Sequence, residues 1–367
     1  MTIRTAHSTQ KDAAEAAASL KRQLEGISPA FILFFASSRY EPNALGESLK
    51  DAFGDVPSLG CTTAGELVSG HMLKNSVVLM AMSVDSVAAA KAAPILTPSD
   101  EREVVAALDT VCQGTRGTSP DPGHPLGLVL HDGLGLTEES VMSTLTTRSN
   151  VPFVGGSAGD DLAFKTTCVF VDFAPRPNSA ALAMLRLRRP PAILKTQSFD
   201  ILDSVLEVTS ANEATRTVHT LNGKPASAEY ARALGVDVAK LPSLFRHNPL
   251  GVLVSETEPF VRSPQKIDGD DVVFFCQIKE GMRLRVLSSR DIVEDTKRDL
   301  GRLVSELGQV EGIINFHCIL RTLELEECGQ CEAYSALFGD VPMIGFSTYG
   351  ESYIGHINQT STMVLLT

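Results

Sequence analysis

Tryptophan is absent from the 367 residues, and aromatic side chains make up only 6% of them. Any ligand pocket must therefore take its aromatic contacts from Phe and Tyr. Positive charge is scarce as well, with 32 Lys and Arg against 44 Asp and Glu and a formal net charge of -12. That balance argues against a nucleic-acid backbone or an anionic membrane as the main partner, and leaves room for a small anion held locally. No apolar run approaches the length of a membrane helix, so membrane insertion is not expected. Met1–Gln10 is polar and lacks the apolar core of a secretory signal. The seven cysteines, Cys61, Cys112, Cys168, Cys276, Cys318, Cys328 and Cys331, are odd in number and scattered. Such a set reads as reduced thiols, which places the chain in the cytoplasm. No low-complexity tract is present. With 43% hydrophobic and 21% charged residues the chain is a folded one, and its length exceeds one ordinary core, so two domains are expected.

What the sequence does contain is one stretch written three times. It appears as Val56-Pro57-Ser58-Leu59-Gly60-Cys61-Thr62-Thr63-Ala64-Gly65-Glu66 and again as Val341-Pro342-Met343-Ile344-Gly345-Phe346-Ser347-Thr348-Tyr349-Gly350-Glu351, aligned without a gap. Between them lies Val151-Pro152-Phe153-Val154-Gly155-Gly156-Ser157-Ala158-Gly159-Asp160, one residue shorter before its Gly-Asp. Each copy reads as a strand entered at proline, broken at a glycine, and ended on glycine and an acid. Proline needs no ladder donor at a strand entrance, and glycine permits close approach. Small hydroxyl side chains and a terminal carboxylate then stand at the strand end. Three copies in similar contexts indicate duplication of one unit and a shared site.

The surroundings repeat too. Helical spacing over Lys11–Leu24 precedes the apolar run Phe31–Ala36, a helix over Ala44–Phe53, and the first copy. A helix over Ser99–Cys112, with acids in its first turn, precedes a loop over 114–125, a buried strand Leu126–Leu130, a helix from Glu138 to Thr147, and the second copy. The longest helix, Asp291–Leu307, precedes a buried strand Gly312–Leu320, a helix over Cys328–Phe338, and the third copy. Val77–Met82 and Thr360–Leu366 read as further apolar strands. Thr167–Val171 and Ala180–Leu187 read as an antiparallel pair. A break at Arg188-Arg189-Pro190-Pro191 suggests a domain boundary, giving domains 25–192 and 193–367. Beyond it, extended segments and a turn at Asn222-Gly223 suggest an antiparallel sheet. The expected fold class is mixed α/β (α+β): two related halves with mixed, largely antiparallel sheets covered by helices.

Gly60-Cys61-Thr62-Thr63-Ala64-Gly65-Glu66 and Val154-Gly155-Gly156-Ser157-Ala158-Gly159-Asp160-Asp161 resemble the marks of the FIST N-terminal domain. Leu221-Asn222-Gly223-Lys224-Pro225-Ala226 with Tyr230, and Gly345-Phe346-Ser347-Thr348-Tyr349-Gly350-Glu351, resemble those of the FIST C-terminal domain. The motifs stand in the family's order and span nearly the whole chain. The resemblance implies a sensory, signal-transducing module that binds a small ligand such as an amino acid. The tail His356-Ile357-Asn358-Gln359-Thr360 is similar to a bacterial branch that includes haem-containing nitric-oxide sensors. Those act on separate histidine kinases or cyclic-di-GMP enzymes. A homodimer is a further expectation.

The ligand-binding candidates are Cys61, Thr62, Thr63, Gly65, Glu66, Gly155, Gly156, Ser157, Gly159, Asp160, Ser347, Thr348, Tyr349, Gly350 and Glu351. Glu66, Asp160 and Glu351 either bind a cationic group or cap the turn that follows each of them. Arg246 is a candidate clamp for a carboxylate or propionate, as are Arg262 and Arg321. His247, beside Arg246, is the first candidate for a haem ligand, with His71, His317 and His356 open. Asp132-Gly133-Leu134-Gly135 reads as a tight turn before a helix, without the spacing of a nucleotide loop. Cys328-Gly329-Gln330-Cys331 reads as a helix start, since no second pair accompanies it. The leading function is a non-catalytic sensor that binds its ligand between the two halves. An enzyme using Thr62, Ser157 or Ser347 as nucleophile is the rival class, and no base is tied to these hydroxyls by spacing. A protein-binding scaffold is the third.

Overall fold

The computed structural model describes residues 2–116, 123–255 and 258–367, and residues 117–122 of the loop expected over 114–125 lie outside that set. The chain divides into two compact bodies, one of residues 1–196, 297–356 and 361–367, the other of residues 197–296 and 357–360. Two contiguous domains split at 192/193 were expected. The first body instead takes up most of the last 71 residues, and the second is an insertion into it.

The first body is a threefold repeat. Each of its three six-stranded sheets is built around a strand flanked by one parallel and one antiparallel neighbour. In the first module Pro29–Ser37 runs parallel to Ser58–Thr63 and antiparallel to Val77–Ser83, with Ile3–Ser8 outside the latter. In the second, His124–His131 runs parallel to Phe153–Ser157 and antiparallel to Ala180–Leu187, with Val87–Ile95 outside. In the third, Gly312–Cys318 runs parallel to Met343–Thr348 and antiparallel to Ser361–Leu366, with Ala192–Thr196 outside. Each parallel crossover carries helix, as a right-handed βαβ connection requires: Pro42–Phe53, Glu138–Arg148, and the pair Ile319–Glu327 and Cys331–Ala336.

Each sheet is completed by a hairpin from another module. The hairpin Glu66–Val68/His71–Leu73 of the first module joins the third sheet, where Phe346 stands opposite Glu66. Glu351–Tyr353 of the third, with Gly355–Ile357 beside it, joins the second sheet, where Gly156 stands opposite Glu351. Cys168–Val171/Ala174–Pro177 of the second joins the first sheet, where Cys61 stands opposite Val169. The exchange closes a ring, first to third, third to second, second to first. The first and third exchanged hairpins begin on the acid of a Gly-acid pair, whereas the second begins at Cys168, beyond the loop that follows Asp160.

Alternation along the central strands explains the layers. Phe31, Leu33 and Phe35 face a core shared by all three sheets, while Ile32, Phe34 and Ala36 face the covering helices. In the shared core the rings of Phe35 and Phe346 lie 4.4 Å apart, and Phe316 and Phe346 lie 6.0 Å apart. Each such ring contributes about 1.5–3 kcal/mol by leaving water. The helices start where the chain offers caps: Asp12 accepts from Glu15 N, Glu41 from Asn43 N and Ala44 N, and Asp100 from Arg102 N.

Two local expectations are corrected. Cys168–Val171 and Ala180–Leu187 do not pair, because Asp172 and Phe173, at φ 51 and 65°, fold the former onto Ala174–Pro177 in a two-residue hairpin. The third central strand stops at Cys318, and Ile319–Glu327 is a helix whose apolar start merges with the strand's run in sequence. The following helix is accordingly shorter than expected, Cys331–Ala336, after Gly329 at φ 66°.

The second body holds an antiparallel eight-stranded sheet around the long strand Phe199–Asn212. The helix Ala226–Leu234 ends at left-handed Gly235 and packs Tyr230 into a core with Leu206, Val218 and Leu284. The class is mixed α/β, with mixed, largely antiparallel sheets and covering helices.

Candidate functional site

The three Gly-acid corners, far apart in sequence, meet in the first body and are stitched together by backbone hydrogen bonds. Ala64 N donates to Ser347 O at 3.3 Å, and Ser347 N to Gly65 O at 2.8 Å. Ser157 N donates to Gly350 O at 2.9 Å, and Tyr349 N to Ser157 O at 3.1 Å. Gly159 N donates to Thr62 O at 2.9 Å, and Asp161 N to Thr63 O at 3.3 Å. Glycine is required for this approach. A Cβ on Gly159 would lie 2.8 Å from Ala64 N, and one on Gly350 would enter the His356 ring.

The carboxyl groups turn inward. Glu66, Asp160 and Glu351 are 1%, 3% and 0% exposed. Glu66 accepts from Thr63 Oγ1, from Ser76 Oγ at 2.6 Å and from Ser76 N at 3.1 Å. Glu351 accepts from Thr348 Oγ1 at 2.6 Å. Asp160 accepts from the amides of Phe164, Lys165 and Thr166 at 2.9, 2.6 and 2.9 Å, and from Tyr349 OH at 2.6 Å. Asp160 thus caps the turn that follows it, Glu351 reaches back to Thr348, and Glu66 ties Thr63 to Ser76. Burial pushes the Glu66 carboxyl up to about 7, against the pull of its hydrogen bonds. Burial acts the same way on Asp160, but its bonds from Tyr349 and three amides prevail and hold it below the ordinary value.

The hydroxyls are also engaged. Thr62 Oγ1 accepts from Cys168 N at 3.0 Å. Ser157 Oγ donates to Glu138 Oε1 at 3.1 Å, and Ser347 Oγ bonds Thr322 Oγ1 at 2.8 Å. Cys61 lies in the shared core, where burial raises its thiol well above the ordinary value. Gly155 and Gly156 carry the second parallel strand past Val129 and Thr348 without side chains in the way.

Two buried histidines, which spacing did not bring together, occupy equivalent places in the second and third modules. His131 stands opposite Ser157, and His317 opposite Ser347. His131 Nε2 lies 3.0 Å from Ser352 Oγ, and His317 Nδ1 lies 3.0 Å from Tyr334 OH. Burial lowers His131 to about 4. It also lowers His317 well below the ordinary value, helped by the nearby charge of Arg321. The sequence signal was there: an apolar strand with a histidine at or next to its end, twice.

A cavity of about 360 Å³ opens beside the first and third corners, walled by Gly65, Glu66, Leu73, Thr322, Cys331 and Ser347, with Met72, Lys74 and Glu326 completing it. Lys74 Nζ and Glu326 Oε1 pair at 2.6 Å and are the exposed members of the wall. Of the expected binding residues, Gly65, Glu66 and Ser347 line this cavity. The others lie at the junction behind it or, for Cys61, in the shared core, except Arg246, His247 and Arg262, which belong to the second body. There the Arg246 carbonyl accepts from Gln359 Nε2 at 2.7 Å.

The family model of the FIST N domain matches residues 30–224, and that of the FIST C domain matches residues 226–353. The chain belongs to the FIST family. FIST domains are sensory, signal-transducing domains, and the corner motifs of this chain fall within both matched spans. No curated protein matches the chain. No helix among the described residues is long and apolar enough to cross a membrane.

Haem requires an imidazole presented to a roomy apolar cleft. His247 Nδ1 lies 3.3 Å from Ser289 Oγ, and its carbonyl accepts from Ser289 N at 2.7 Å. His131 and His317 are fully buried in strands, and none of four cavities outlined by described residues has a histidine in its wall. The surroundings of His247, His131 and His317 offer no such cleft in the walls of these four cavities. The cysteines are free thiols, with Cys328 exposed at the end of one helix and Cys331 at the start of the next.

Proposed function

We propose that the chain is a non-catalytic sensor whose recognition site is the cavity beside the first and third corners, and that it takes a small zwitterion of the amino-acid class. The observation that carries this reading is the Lys74–Glu326 pair at 2.6 Å on the rim of a cavity of about 360 Å³. That volume falls at the lower end of the range for small-molecule sites, roughly 300–1,000 Å³. An exposed ion pair is worth little by itself, at most about 1 kcal/mol, so a ligand carrying both charges can replace it at small cost. Its carboxylate would take Lys74 and its ammonium Glu326. The Thr322 and Ser347 hydroxyls, which both donate and accept, would fix its orientation.

The rim residues come from different modules: Lys74 follows the first module's hairpin, and Glu326 ends a helix of the third. A ligand that re-pairs them acts on the joint between modules and favours one arrangement of it. The output would be contact with a separate signalling enzyme, a histidine kinase or a cyclic-di-GMP enzyme.

Calorimetric titration of the full chain with a panel of amino acids tests the site. At least one should bind, and Lys74→Ala and Glu326→Ala should each weaken it about tenfold while moving the thermal midpoint by only about 2 °C. If no member binds, or if both variants bind like the parent, the site is not this cavity. The haem-based nitric-oxide form is tested by reconstitution. A Soret band that shifts with nitric oxide would replace the zwitterion reading.

A further inference from the structure

Around Tyr349 the chain builds an apolar surface from two loops and the helix Ile319–Glu327 of the first body. Leu134, Leu320 and Leu323 pack on a small cluster of Ala64, Ile319 and Tyr349. The Phe164 ring stacks on Tyr349 at 5.0 Å while Phe164 stays 48% exposed. Leu162 and Leu136, on the same loops, are 39% and 53% exposed.

This exposure is held in place by backbone conformations that large side chains disfavour. Leu136, Asp161, Leu162 and Phe164 all have φ between 51 and 65°. Such residues persist only where their surroundings over-determine them. Here Tyr349 OH accepts from Asp160 N at 3.2 Å and from Leu162 N at 2.8 Å, while the Asp160 carboxylate fixes the amides of Phe164, Lys165 and Thr166. A loop that merely closed a turn would gain from turning Leu162 and Phe164 inward. This one is braced to present them outward.

The charges beside the surface are mainly acidic. Asp161 adjoins Leu162, Glu139 follows Leu136 in the first turn of a helix, and Glu327 lies one helical turn beyond Leu323 on the stripe of Leu320. Lys165 is the exposed cation of these segments, and Arg321 is buried. Two copies of an acid-rimmed patch repel each other, and an anionic lipid surface is repelled likewise.

We propose that this surface docks an apolar segment of a partner protein flanked by lysine or arginine. The apolar side chains would cover Leu162 and Phe164, and the cations would meet Asp161, Glu139 and Glu327. The inference stands apart from the ligand reading, since the surface shares no residue with the cavity wall.

The test uses the full chain and two short labelled peptides with the same leucine face, one flanked by lysine and the other by glutamate. Fluorescence anisotropy should show the lysine peptide binding and the glutamate peptide failing. Affinity should fall about tenfold in the Leu162→Ser/Phe164→Ser double variant, which keeps every charge. Glu327→Lys, outside the braced loop, should weaken binding about threefold and flatten its salt dependence. Equal binding by both peptides, or by the double variant with an unchanged unfolding midpoint, overturns the proposal. So does a dimer in sedimentation that the double variant abolishes, which would make a second copy the occupant. Co-sedimentation with neutral lipid vesicles that the variant abolishes would assign the surface to a membrane instead.

Discussion

The first and second corners end on the same pair of residue types, yet their acids settle at opposite ends of the protonation scale. Glu66 is held by two hydroxyls and one amide and is pushed up to about 7. Asp160 is held by three amides and a phenol and sits below its ordinary value. Both are nearly inaccessible to solvent, but Glu66 lies deeper among protein atoms, so burial costs its anion more, and the partners of the two acids differ as well. Amides can only donate, and therefore reward the anion. A hydroxyl can turn round and accept from a protonated carboxyl. One motif thus yields a neutral-leaning brace next to a cavity and an anionic brace under a protruding loop.

Three substitutions probe that contrast. The largest effect is expected where the corners touch. Gly159→Val drives a branched side chain into the Ala64 backbone and should cost about 3 kcal/mol or more, read as a fall in the urea midpoint or loss of soluble protein. Asp160→Asn keeps the shape but loses the anion its donors need, at a cost of about 2 kcal/mol at neutral pH. The loss should shrink as pH falls through the acid's own depressed value, and amide exchange should rise first over residues 161–166. If exchange there is unchanged, Asp160 does not organise the loop.

Glu66→Gln has the smallest effect near pH 4.5 and an inverted sign above it. A carboxyl raised in the folded state supports stability while it stays protonated, and that support is lost as pH climbs from its ordinary 4.5 to about 7. Glutamine does not ionise, so the variant should match the parent near pH 4.5 and exceed it in unfolding midpoint as the pH rises through 7. His131 slopes the other way. Lowered to about 4, it supports stability above its ordinary 6.5 and withdraws that support as pH falls toward 4. Removing Glu66 should leave this rising slope exposed in unfolding curves taken from pH 4 to 6.5.

Much of the frame could be read from the chain. Apolar runs such as Phe31–Ala36 announced the central strands, and three copies of a proline-strand-glycine-acid stretch announced a repeated unit. The meeting of the corners followed from that repetition. What could not be read was where each hairpin goes. Glu66–Val68 and Glu351–Tyr353 are three residues long, and strands so short carry no pattern that names a partner sheet. The inward turn of the acids was hidden for a related reason. It depends on Ser76 and on Tyr349, one contributed by the next strand and the other by another module. Lys74 and Glu326 escaped notice because surface charges are common, and only the fold sets them opposite each other.

The cyclic exchange of hairpins has a consequence for how the chain comes to be folded. During synthesis the second sheet must wait for Glu351–Tyr353, made long after its neighbour Phe153–Ser157, and the third waits for its own strands to join a hairpin made long before. Contacts of such sequence separation form slowly, and the nascent chain carries open sheet edges until the ring locks. Assembly should therefore be all-or-none, with residues 312–366 acting as the clasp.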